Sequence, residues 1–439
     1  MNRRDFLLAL AATALAPATG WTAPSAMRLK AEPVTARLLP DGQGVTRMLG
    51  FNGSTPGPEI RARQGGRVAV AFENGIEHAS AIHWHGIHID NAMDGVPGLT
   101  QAAVKPGGAF DYTFDMPYAG TYWYHSHERS WEQVAKGLYG PLIVEERDPP
   151  RVDHDITVVL DDWRLTRSGE LQPDFGNRHD FSHDGRLGNF ARALPSREAV
   201  RRGDRVRLRL INAATARIFQ VKIGGGEGKI VAHDGMPLAE PEPLGELELA
   251  PAQRTDVILD VAATVTFAFL TRRRPYELGK IAVQGANSAP IDAPITPLPP
   301  PSIPAPDRKN ARRLTLAMQG GAMSGMGMMG MMRGSGNFWA FNDHSGLPDA
   351  PWQRFERGET ALITMRNDTA FPHGIHIHGH HFRELGEDGA PGHYRDTTLV
   401  DPRRRRDVLC VFDNPGKWLI HCHTLAHQAS GMKTWVQVV

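Results

Sequence analysis

His421-Cys422-His423-Thr424-Leu425-Ala426-His427-Gln428-Ala429-Ser430-Gly431-Met432, close to the C-terminus, is the stretch whose reading decides the fold. Side chains on a β-strand alternate between its two faces. His421 and His423 therefore project together and Cys422 projects the other way. The thiolate can bind one metal while its neighbours bind another, a few covalent bonds away. A Cys thiolate with two imidazoles and a weak axial Met makes a blue-copper electron-transfer site. Cys422, His427 and Met432 supply three of these ligands, and His373 is the best candidate for the missing imidazole.

Three further His-x-His pairs lie outward from this run: His83/His85, His125/His127 and His376/His378. Imidazole suits copper, iron, nickel and zinc alike, so one such pair is more often structural or a zinc ligand. Four pairs, one of them wrapped around a cysteine, point to a mononuclear copper wired to a copper cluster.

The four motifs read HWHG at 83–86, HSH at 125–127, HGIHIHGH at 373–380 and HCHTLAHQASGM at 421–432. With them the chain resembles the multicopper oxidases, the family of laccases, ascorbate oxidase and bacterial cuprous oxidases. The resemblance implies a type 1 copper on His373, Cys422, His427 and Met432. It implies a type 2 copper on His83 and His376, and a type 3 pair on His85, His125, His127, His378, His421 and His423. It also implies an enzyme that couples four one-electron oxidations to the reduction of O2 to two waters. Asp94 matches by position the aspartate that many members use for proton delivery, although Asp-Gly is also a strong turn signal. Two positions depart from the family pattern. Gly374 stands where Pro is usual, which would loosen the loop. Gln428 stands where a second acid often follows, which leaves Glu128 or water as the alternative relay.

The surrounding chain is read as all-β, with three cupredoxin-like Greek-key domains. Short alternating runs between Gly, Pro, Asn and Asp clusters indicate β-sandwiches; Arg67–Phe72, Ala109–Phe114, Asp155–Leu160, Arg205–Ile211, Ala361–Met365 and Asp407–Phe412 are examples. The expected divisions are 28–147, a copper-free middle domain at 148–288, a proline-rich linker at 289–307 and a third domain at 308–439. His154, His179, His183 and His233 in the middle segment are read as surface or loop histidines. The N-terminus, with Arg3-Arg4 ahead of an apolar run from Phe6 to Ala16, resembles a twin-arginine export signal over 1–27 and predicts a periplasmic protein. No other stretch approaches membrane-spanning length. A formal net charge of +1 gives no case for nucleic acid or an anionic membrane, and a monomer is expected. Of the two cysteines, Cys410 reads as a small buried hydrophobe.

A second unusual feature lies within residues 318–333. Met323, Met326, Met328, Met329, Met331 and Met332 crowd into ten residues among glycines that disfavour helix and strand. Thioethers select Cu(I) over hard cations, so the run is a candidate site for collecting substrate copper. The leading reading is a cuprous oxidase serving copper tolerance, with O2 and Cu(I) as partners. A general laccase acting on phenols or aromatic amines is the alternative. A nitrite reductase needs no HCH run, and a copper-storage or structural protein would leave the cluster histidines without work.

Overall fold

A computed structural model of the chain describes residues 26–39, 44–322 and 336–439. Residues 1–25 of the expected export signal and all six methionines of the 323–332 run lie outside the described residues. The described chain is almost entirely β-structure, with a few helices of three to five residues.

The first third forms two four-stranded sheets. One runs in the order Thr46–Phe51, Met27–Ala36, Arg67–Asn74, Ala109–Asp115; the other in the order Ile60–Arg63, Tyr139–Glu145, Gly120–Ser126, Ile82–His85. Alternation is visible in Arg67–Asn74, where Val68, Val70 and Phe72 are buried between partly exposed neighbours. The strands Ile82–His85 and Gly120–Ser126 are buried along their whole length, because they lie inside the molecule and carry His83, His85 and His125 on the face opposite the core.

The middle third is a nine-stranded sheet whose main path is Phe190–Pro195, His154–Trp163, Arg205–Asn212, Arg254–Phe269, Phe219–His233, Met236–Pro243. Residues 289–307 contain no strand or helix. They are nevertheless strapped to the middle sheet: Leu298 is buried with Val231, Ala232 and Ile258, and Arg205 donates to Ala293 O. The last third holds a six-stranded sheet and a five-stranded sheet, the latter ordered Gln353–Phe355, Lys433–Val438, Gly416–Cys422, His373–Ile377, Thr397–Val400.

Register does the positioning. His83 lies directly opposite His125, and His376 directly opposite His421, with Ile375 opposite Cys422. A slip of either strand pair by one residue would turn its histidines to the opposite face.

The candidate metal centre

Cys422, His373 and His427 converge as a compact donor set. Cys422 Sγ lies 3.5 Å from His373 Nδ1 and 3.7 Å from His427 Nδ1, and the two nitrogens are 3.1 Å apart. Each imidazole is fixed through its other nitrogen, His373 Nε2–H donating to Thr369 Oγ1 and His427 Nε2–H to His183 O. That leaves both Nδ1 lone pairs facing the thiol, the arrangement a metal ligand needs. Met432 is fully buried; its N–H donates to His427 O and its carbonyl accepts from Cys422 N–H. Trp339 packs on both histidine rings, centroids 4.1 Å and 5.0 Å away.

The other eight histidines meet between the first and last thirds. Their donor atoms fall into the groups His85/His125/His423, His127/His378/His421 and His83/His85/His376, each mutually within 4.8 Å. The arrangement is close to two-fold. His85 stacks on His376 at 3.7 Å, and His83 on His378 at 3.9 Å. His83 Nδ1–H donates to Asp94 O and His376 Nδ1–H to Asp396 O, each at 2.8 Å. The two aspartate side chains then accept from the other pair: His378 Nδ1–H reaches Asp94 Oδ2 at 3.0 Å, and His85 Nε2–H reaches Asp396 Oδ1 at 3.2 Å. His83 Nε2, His376 Nε2, His85 Nδ1, His125 Nε2, His127 Nε2 and both His423 nitrogens are buried with no hydrogen-bond partner among the described residues. Orphaned buried donors and acceptors are costly; metal ions at these sites would satisfy them. Burial holds His85, His125, His127, His376, His378, His421 and His423 below the usual imidazole range, so they are neutral and free to ligate. Burial also pushes the Cys422 thiol up to about 12, so metal binding there displaces a proton.

Three residues important to this geometry were not legible as such in the sequence. Asp396 is fully buried and gripped by Arg254, a middle-sheet residue whose Nη1 and Nη2 lie 2.9 Å and 2.5 Å from its two oxygens. Burial alone would raise this carboxyl; Arg254 and the contacts to His85 and His376 outweigh it and hold Asp396 well below the usual range. Arg254 Nε also donates to Thr121 O in the first third, so one guanidinium ties all three parts of the chain together beneath the cluster. The third is Trp339, which covers the Cys422 set.

Several expectations are modified. Gly374 does not loosen a loop. It lies buried inside the strand His373–Ile377, and its carbonyl accepts from His423 N–H at 2.7 Å. His233 is not a surface histidine; it is buried in a strand with Nδ1 3.0 Å from Thr255 Oγ1. His183 lies against His427. Asp94 is more than a turn residue, being fully buried with both carboxylate oxygens toward His378. Gln428 is buried and accepts from Ser130 Oγ through Oε1. Gln428, Glu128 and Lys433 line an open cavity of about 260 Å³ that also reaches His127.

Comparison with known proteins agrees with this construction. Residues 34–149, 155–289 and 323–439 each match the multicopper oxidase family. The multicopper oxidase MmcO of Mycobacterium tuberculosis is 30% identical over 99% of this chain and 96% of its own. Copper resistance protein A of Pseudomonas syringae pv. tomato is 27% identical, covering 100% of this chain and 99% of its own, and proteins named laccase match as well. The crystal structure of Lac15 from a marine microbial metagenome superimposes with a TM-score of 0.82 at 53% identity, over 94% of this chain and 100% of that one. The chain belongs to the multicopper oxidase family. It is an oxidoreductase, its three parts are cupredoxin-like, and copper is the metal its family uses.

Proposed function

We propose that this protein is a periplasmic cuprous oxidase that takes electrons from Cu(I) one at a time and uses four of them to reduce O2 to two waters. The observation that carries the reading is the three-way division of the HCH run. Cys422 faces His373 and His427, His421 faces His127 and His378, and His423 faces His85 and His125. In this reading the first set, with Met432, holds a type 1 copper, the other two sets hold the type 3 pair, and His83 with His376 holds the type 2 copper. Bound copper supplies the one-electron chemistry and the binding of O2. The protein's own residues hold the tautomers, exclude water from the Cys422 set and bring protons. Asp94, touching His378 through its carboxylate and His83 through its carbonyl, is the proton-delivering residue in this account. The cavity lined by Glu128 and Gln428 gives water a way to His127.

Cu(I) is favoured as donor by two features. The methionine run 323–332 is a soft-ligand sequence. Among the described residues the His427 edge is also closed: the ring is buried and its Nε2–H is committed to His183 O, leaving a phenol no open imidazole edge to pack on. The periplasmic assignment rests on Arg3-Arg4 and the apolar run after them. The laccase alternative has one observation in its favour. A cavity of about 190 Å³ lies beside the Cys422 set, lined by Pro372, Gly374, Thr424 and Arg217, and a small phenol would fit there. Oxygen uptake by the copper-loaded protein, with Cu(I) or a simple phenol as sole reductant, separates the two. Preference for Cu(I) that disappears on deleting 323–332 supports the cuprous reading, whereas preference for the phenol, unaffected by the deletion, supports the laccase.

A further inference from the structure

The middle third sends one short helix, Arg178–Ser182, over the Cys422 set, with His183 as its C-cap. Residues four apart share one face of a helix. The His179 and His183 rings lie parallel, centroids 4.2 Å apart and planes within 6°. His179 is exposed and His183 half-buried. His183 Nδ1 lies 2.9 Å from Ser182 Oγ and 3.2 Å from His179 O. An Nδ1–H donated to a backbone carbonyl leaves Nε2 with the lone pair, the tautomer of a metal-ligating histidine. The same residue touches the redox site through its backbone: His183 O accepts from His427 Nε2–H at 2.5 Å. Ala322, the residue before the first methionine of the run, donates its N–H to Ser182 O at 2.8 Å, so this helix is also fastened to the strand leading out of the third sheet pair.

We propose that His179 and His183 form a docking site for substrate copper, distinct from the resident ions, with the His183 carbonyl and His427 as its electron path. This rests on the cuprous reading above and gives it a place. Imidazole accepts copper in either oxidation state and holds Cu(II) well. Cu(I) at the pair would give up one electron and become Cu(II); the copper that His373, Cys422, His427 and Met432 would hold is the one-electron acceptor such a site would supply, and the His183 carbonyl on His427 Nε2–H is the chain's own connection to it. Four such transfers, with four protons, reduce one O2 to two waters. The rings are stacked face to face, so sharing one ion through both Nε2 atoms would require His179, the exposed member of the pair, to turn away from the stack.

The test uses copper-loaded holoprotein. Wild type, His179→Ala and the double variant His179→Ala/His183→Ala are titrated with additional Cu(II), followed by electron paramagnetic resonance, and with Ag(I) as a redox-inert substitute for Cu(I). Alanine at 183 keeps the backbone carbonyl, so an unchanged blue band verifies that the type 1 site is intact. The expected result is one extra nitrogen-coordinated Cu(II) in the wild type, lost in the double variant. The KM for Cu(I) should rise about tenfold with a smaller change in kcat, as for an interaction made before the electron leaves. Equal extra binding and equal KM in wild type and double variant would overturn the site. A wild type that oxidises Cu(I) but binds nothing at the pair overturns the pair alone. A wild type that binds copper at the pair yet consumes no O2 with Cu(I) overturns the substrate role together with the cuprous reading.

Discussion

Gly86 has no side chain because the Arg254–Asp396 ion pair occupies the space where one would be. A Cβ at Gly86 would lie 2.5 Å from both Arg254 Nη2 and Asp396 Oδ2, on a backbone with φ +85°. The glycine that closes the HWHG motif is thus explained from the far side of the cluster. It lets a middle-sheet arginine reach an aspartate of the last third, between the strands Pro391–Arg395 and Thr397–Val400, beneath the histidine pair of the first third. Gly86→Ala is expected to spread this ion pair and to displace His85, which donates to Asp396. Reduced copper content of the cluster, with the blue band retained, is the measurable outcome.

Arg254→Met removes the partner of a fully buried carboxylate. Leaving one charge of a buried pair uncompensated costs roughly 3–5 kcal/mol. Thermal unfolding should move to markedly lower temperature, and the resonance of the copper proposed at His83 and His376 should change through loss of orientation at His376. Arg254→Lys can restore charge but not the two-armed contact, so it should recover part of the stability and little of the resonance.

Asp94→Asn keeps an oxygen that can accept from His378 but removes a group that can carry a proton. O2 reduction should slow by about 10²-fold or more, the scale of general acid catalysis, while anaerobic reduction of the type 1 copper proceeds at the wild-type rate. Unchanged steady-state turnover would remove Asp94 from proton delivery.

Acid stability should depend on Asp155. Burial would raise its carboxyl, but the two-armed bond to Arg209 and the fields of Arg207 and Arg61 outweigh this and hold it at about 2, against an ordinary 3.8. A depressed carboxylate contributes stability that is present above its unfolded value and lost as pH falls through the folded one. The contribution is about 2 kcal/mol, fading between about pH 4 and pH 2. Asp155→Asn should flatten the pH dependence of unfolding in that window.

Both cysteines are free and buried. Burial pushes both thiols up, Cys422 to about 12. Metal-free folded protein should therefore show no thiol reactive toward a disulfide reagent at pH 8, and two after denaturation. Because copper must displace the Cys422 proton, development of the blue band in metal-free protein should accelerate as pH rises.

The convergence of the histidines was legible in the sequence because a strand's period of two is local: His421, Cys422 and His423 announce their own faces wherever the strand lies. The strands at Arg67–Asn74, Arg205–Asn212 and Arg405–Phe412 were legible for the same reason. Asp396 and Arg254 were not. Asp94 follows His83 by 11 residues, whereas its counterpart Asp396 follows His376 by 20, so no spacing relates the two halves of the near two-fold arrangement. Arg254 belongs to a segment with no His-x-His pair, and its role exists only once three sheets are packed. Trp339 and the His183 carbonyl likewise reach the Cys422 set through tertiary folding. The backbone contact is the less visible of the two, since a carbonyl carries no residue identity.

The most direct measurement is the stoichiometry of Cu(I) oxidised per O2 consumed by the copper-loaded protein, with hydrogen peroxide assayed in parallel. Four Cu(I) per O2 with no peroxide is expected if the His-Cys-His run joins a one-electron site to a cluster that holds oxygen until it is fully reduced. Two Cu(I) per O2 with peroxide released, or no uptake at all, would contradict it.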